Sequence, residues 1–133
     1  MKRFSVAALV GAVGAASIAV LSQSYTASAQ DVDPALLAAL IDEGDDIFHH
    51  IGCSGCHGAE GQGGAGPELA GNQALSSQSH VIGMILNGND VHGMPAWADR
   101  LDDHQVAAVG TYIRNAWGNA FGIVNEASVG IRR

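Results

Sequence analysis

After Lys2 the chain contains no lysine, and its other basic side chains, histidines apart, are Arg3, Arg100, Arg114, Arg132 and Arg133, against 13 acids. The formal net charge is −7 at pH 7. No basic patch exists to neutralise phosphates, which excludes nucleic acid as a partner. A docking protein is expected to present a basic or an apolar face instead. Cysteine is nearly absent, with two residues in 133. Around them there is neither strand-like alternation nor a βαβ unit, and no internal repeat or second domain is visible.

The amino terminus supplies what the rest lacks. Lys2 and Arg3 precede an uncharged apolar run from Phe4 to Leu21, and Ala27-Ser28-Ala29 offers small residues for a cut. Residues 1–29 read as a secretory signal peptide cleaved after Ala29, with an uncleaved membrane anchor as the alternative. Either way the domain, residues 30–133, is placed outside the cytoplasm, in the periplasm. Loss of Lys2 and Arg3 takes the net charge from −7 to −9. The remaining 104 residues suffice for one domain. Two of the 18 glycines lie in the leader, so the domain keeps 16, a high entropy cost for a thin core. A buried prosthetic group would fill that core, and the chain without it is expected to fold poorly.

Both cysteines fall in Cys53-Ser54-Gly55-Cys56-His57. Two thiols on one helical turn can each add across a haem vinyl group, and the adjoining imidazole is placed to ligate the iron. Three other readings compete. A thioredoxin-like redox pair expects a βαβ context. A zinc site expects an H-x₃₋₅-H partner, which the remaining histidines do not supply. A plain disulfide closing so short a loop would constrain little.

The flanking sequence reads as helices joined by ligand-bearing loops. Asp33-Pro34 starts a helix whose apolar stripe runs through Leu36, Leu37, Leu40, Ile41, Gly44, Ile47, Phe48 and Ile51, with Asp42, Glu43, Asp45 and Asp46 on a solvated face. The glycine-rich run 58–71 is expected to wrap backbone against the motif and return a carbonyl to His57, with Pro67 as the candidate. A short helix spans Ser77 to Leu86, and Asp102 to Gln105 has capping-box spacing that opens the last helix. That helix carries a stripe of Val106, Val109, Gly110, Ile113 and Trp117. Gly44 and Gly110 suggest a close crossing of the first and last helices. Between them, Met94 sits in a loop between Gly93 and Pro95. It is the favoured second axial ligand over Met84, His92, His80 and an empty site, with Met84 read as core filler. His49, His50 and His104 read as ordinary surface histidines. The tail from Ala120 carries no signal.

Gly44 with Phe48, Cys53 to Gly58, Gly66-Pro67 with Leu69, Gly93 to Trp97, and Val109 with Tyr112 together resemble a class I monohaem c-type cytochrome. The resemblance implies an all-α fold of three to four helices around one haem c, attached through Cys53 and Cys56. It also implies His57 and Met94 as axial ligands, and a crossing of first and last helices near Gly44 and Tyr112. The segment Thr111 to Asn119 with Phe121-Gly122 is similar to bacterial cytochrome domains that serve periplasmic oxidoreductases. The function implied is single-electron transfer between redox partner proteins, as a free carrier or as a permanent subunit, without catalytic residues. A haem enzyme or sensor with a labile sixth ligand is the alternative. The chain departs from the mitochondrial members in lacking a lysine ring, and from the common pattern in placing Glu68 after Gly66-Pro67.

Overall fold

The computed structural model describes residues 32–133, so the leader and its cleavage site lie outside the described residues. The described residues form five α-helices and no sheet: α1 (Pro34–His50), α2 (Cys53–His57), α3 (Gln78–Asn87), α4 (Asp103–Asn115) and α5 (Glu126–Gly130). Short 3₁₀ turns at Gln73–Ser76 and Asp90–His92 flank α3. The all-α expectation holds, with the three long helices where the sequence places them. None of the described helices is long and apolar enough to cross a membrane.

Helix α1 begins as its sequence dictates. The Asp33 carboxylate accepts the Ala35 N–H at 2.9 Å, and Pro34 takes the first helical position, where a missing N–H costs nothing. Its buried residues, Leu40, Gly44 and Phe48, recur every fourth position and so form one face. Helix α4 opens on a complete capping box. The Asp102 carboxylate accepts the Gln105 N–H at 2.8 Å, and the Gln105 side chain accepts the Asp102 N–H at 3.1 Å. From Val106 to Arg114 every residue of α4 is buried, as befits a helix covered on all sides.

Helices α1 and α4 cross at Gly44. A Cβ there would run into the Ala108 carbonyl oxygen and lie 2.6 Å from the Tyr112 Cβ, so only glycine permits this approach. Gly110 does not join the crossing. It faces Val124 and Val81, because two residues turn a helix by roughly 200° and carry it to the side away from Ala108. Trp117 also departs from expectation. Helix α4 ends at Asn115, and Trp117 lies beyond it with a left-handed φ of 53°. Its indole still reaches the buried side that the stripe implied, with ring centroids 5.2 Å from those of both Phe48 and Tyr112.

The tail closes the core. Val124 and Val129 are fully buried, and α5 packs on α4. Arg132 donates to the Ser79 hydroxyl at 2.6 Å. Arg133 reaches Asp103 at 2.7 Å, the Leu101 carbonyl at 2.8 Å and the Ala98 carbonyl.

Candidate haem-binding site

Helix α2 has five residues, too few to persist on local bonding alone. The glycine-rich loop behind it supplies the support. The Gly66 N–H donates to the Cys56 carbonyl at 2.9 Å and the Gly63 N–H to the His57 carbonyl at 2.7 Å, so the open end of the helix is capped by returning backbone. The same loop presents the Pro67 carbonyl to His57 Nδ1 at 2.9 Å. A carbonyl can only accept, so Nδ1 carries the ring proton and Nε2 keeps its lone pair for a ligand role. Gly66 makes this possible. A Cβ there would lie 2.8 Å from the imidazole Cε1, inside the ring's van der Waals envelope.

Met94 is held by a different device. Asn89 and Met94 exchange both backbone hydrogen bonds, at 2.8 and 3.0 Å, which closes an isolated bridge around Asp90 to Gly93. Gly93 takes a left-handed φ of 76° to make the turn. Beyond Pro95, the Trp97 N–H donates to the Ile85 carbonyl at 3.0 Å and the Ala98 N–H to the Leu86 carbonyl at 3.3 Å. The end of α3 thereby anchors the loop.

Both segments open on one cleft of about 670 Å³, lined by Cys53, Cys56, His57, Pro67 and Met94 among others. Its walls are apolar, built from side chains such as Phe48, Leu75, Val81, Ile85, Trp97 and Ile113. No carboxylate, lysine or arginine lines it. These surroundings fit a flat, largely apolar macrocycle: paired thiols on one turn, an oriented imidazole with a free Nε2, a thioether and hydrocarbon walls. Met84 is part of the cleft lining rather than sealed core, and His80 and His92 line the cleft as well.

The competing motif readings have less support. Burial pushes the Cys53 thiol up to about 11, the opposite of the lowered thiol that disulfide exchange requires. The two thiols are not joined in a disulfide. Among the described residues, no three His, Cys, Asp or Glu side chains gather where a metal ion could be held.

Two histidines have more to do than a surface reading suggests. His49 contacts the Asp45 carboxylate at 2.9 Å and reaches the Ala59 carbonyl through Nε2 at 3.2 Å, tying α1 to the loop behind α2. His104 contacts Glu43 of α1 at 2.9 Å and Glu126 of α5 at 3.2 Å. Both are raised above the ordinary imidazole value, His49 chiefly by the Asp45 carbonyl and His104 by Glu43 and then Glu126. The i,i+4 spacing of His49 on Asp45 is readable from sequence. The contacts to Ala59, Glu43 and Glu126 cross between elements and leave no local pattern.

The sequence is similar to those of known proteins. The sequence model of the family described as cytochrome c oxidase, cbb3-type, subunit III matches residues 39–113. The cbb3-type cytochrome c oxidase subunit CcoP of Azospirillum brasilense is 28% identical over 89 residues, covering 61% of this chain and 30% of that protein. Cytochrome c-552 of Thermus thermophilus is 37% identical over 89 residues, covering 51% of this chain and 64% of that protein. The chain thus spans less than two thirds of either relative. It belongs to the cytochrome c family matched over residues 39–113, as a monohaem c-type domain.

Proposed function

We propose that the domain holds one haem c through thioethers from Cys53 and Cys56, with His57 and Met94 as axial ligands, and carries single electrons in the periplasm between an oxidoreductase and an acceptor. The observation that carries this reading is the His57 Nδ1 bond to the Pro67 carbonyl in a cleft that Met94 also lines. When bound, the haem supplies a one-electron iron couple that a thioether ligand biases toward the ferrous form. The chain's own work is positional. The Pro67 carbonyl fixes the imidazole tautomer, the Asn89–Met94 bridge holds the thioether, and the apolar walls keep water from the macrocycle.

The visible spectrum of the exported protein tests the assignment. Reduced c-type bands, with the weak red thioether-to-iron band in the oxidised form, are expected. Met94→Ala should keep the reduced bands, lose the red band and lower the potential. A red band that survives this substitution assigns the ligand elsewhere, with Met84 first in line.

A permanent-subunit role is the second reading, favoured by the likeness to a subunit of an oxidase complex. Free carriers form small, transient, salt-sensitive interfaces. Co-purification with a partner in a complex that resists high ionic strength would favour the subunit role.

A further inference from the structure

Arg114 is the one charged side chain among the buried residues described, at 5% exposure. It meets no carboxylate. Its Nε donates to the Leu75 carbonyl at 2.9 Å, Nη1 to those of Gly122 at 3.0 Å and Ile123 at 2.9 Å, and Nη2 to those of Ser76 at 3.2 Å and Phe121. Five carbonyl dipoles solvate the guanidinium but leave its charge uncancelled. Tying segments together does not require a charge. Nearby, neutral Asn119 joins α4 to the loop through the Ile113 and Leu69 carbonyls at 2.9 and 3.0 Å.

Arg114 adjoins the cleft wall at two points without lining the cleft itself. Leu75, whose carbonyl takes Nε, lines the cleft, and so does Ile113, the residue before Arg114. The cleft lining itself contains no carboxylate, lysine or arginine. We propose that Arg114 is a positioning residue for electron transfer, a fixed cation behind the Leu75–Ile113 wall that favours the reduced centre and so holds the reduction potential up. This rests on the haem assignment above. Removing an electron from the centre adds positive charge beside an existing one, and the dry interior screens that repulsion far less than solvent would. Burial lowers the Arg114 pKa from its strongly basic ordinary value, and a guanidinium remains charged near neutral pH, so its contribution there is independent of pH.

Potentiometric titration of the haem-loaded protein and three variants tests the proposal. Arg114→Lys keeps the charge but loses most of the fork, so stability should fall while the potential holds. Arg114→Met removes the charge. At a fixed ambient potential its ferrous-to-ferric ratio should fall about three- to tenfold, the upper figure being about 59 mV for a one-electron couple. Asn115→Asp provides the test even if Arg114→Met does not fold. Asn115 donates to the Thr111 carbonyl at 2.7 Å and shares the Gly122 carbonyl with Arg114, at 3.1 Å. An acid there lies close to the guanidinium but is favoured in its neutral form by those two acceptors, so it should lower the potential in the same direction as pH rises and it ionises. The proposal is overturned if Arg114→Lys lowers the potential as far as Arg114→Met, or if the potential of Asn115→Asp tracks that of wild type from acid to alkaline pH. It is also overturned if the red thioether band disappears along with the shift, since ligand loss would then be the cause. Absence of c-type bands in the wild-type protein would instead remove the haem assignment on which it rests.

Discussion

At Gly66 one hydrogen atom separates an imidazole bonded to the Pro67 carbonyl from a displaced one. A methyl group there would lie 2.8 Å from His57 Cε1, so Gly66→Ala must push the ring away from the Pro67 carbonyl or move the loop. The expected result is a low yield of haem-loaded protein, read as reduced-band absorbance per mole of exported chain; a wild-type yield would show that the loop gives way freely. That Cys53, Cys56 and His57 share one side of the cleft was legible in sequence because they are adjacent, and the Pro67 carbonyl because an oriented imidazole needs an acceptor. Met94 was singled out by its glycine and proline neighbours. What holds it, the bridge with Asn89, is a backbone contact to which any residue could contribute. Arg114 was invisible, because its five acceptors are main-chain carbonyls 7 to 39 positions away and carry no side-chain signature.

Among the elements, the α1–α4 crossing fixes the frame. Gly44→Ala drives a methyl group into the Ala108 carbonyl and the Tyr112 Cβ, and overpacking of this kind costs about 1–3 kcal/mol, measurable by denaturant unfolding of the haem-loaded protein. An unchanged midpoint would mean that the helices slide apart without loss. His104 links the same two helices to α5. Glu43 and Glu126 favour its charged form, so its folded pKa exceeds the ordinary 6.5. The stabilisation is therefore complete below about pH 6.5 and is lost as pH rises through the folded value. Half-exposed pairs are worth less than about 1 kcal/mol after solvent screening. Raising the pH from 6 to 8 should thus lower the melting temperature of wild type slightly more than that of His104→Gln, and parallel curves would remove His104 from the account. The starts of α1 and α4 were legible because caps are local. The end of α4 was not: the hydrophobic stripe reports which side Trp117 reaches, whereas the packing of its indole on Gly61 joins distant positions and leaves no local pattern. Helices of five residues, α2 and α5, are too short to show a period.

For the molecule as a whole, the cleft walls are apolar and would meet water without the haem proposed above, so its omission should leave the chain poorly folded, with weak dispersion in amide proton spectra; well-dispersed spectra of the unloaded chain would contradict this. The charges are distributed unevenly. Carboxylates gather on the outer face of α1, while the cleft lining carries none. Association with a basic partner should therefore slow as ionic strength rises, which stopped-flow mixing reads directly. Three of the four acids on that face touch a histidine: Asp45 His49, Asp46 His50, and Glu43 His104. The field that draws a basic partner in is consequently adjustable. Mild acidification favours the charged forms of His49 and His104, both already raised above the ordinary imidazole value, and so offsets Asp45 and Glu43 and dims the attraction.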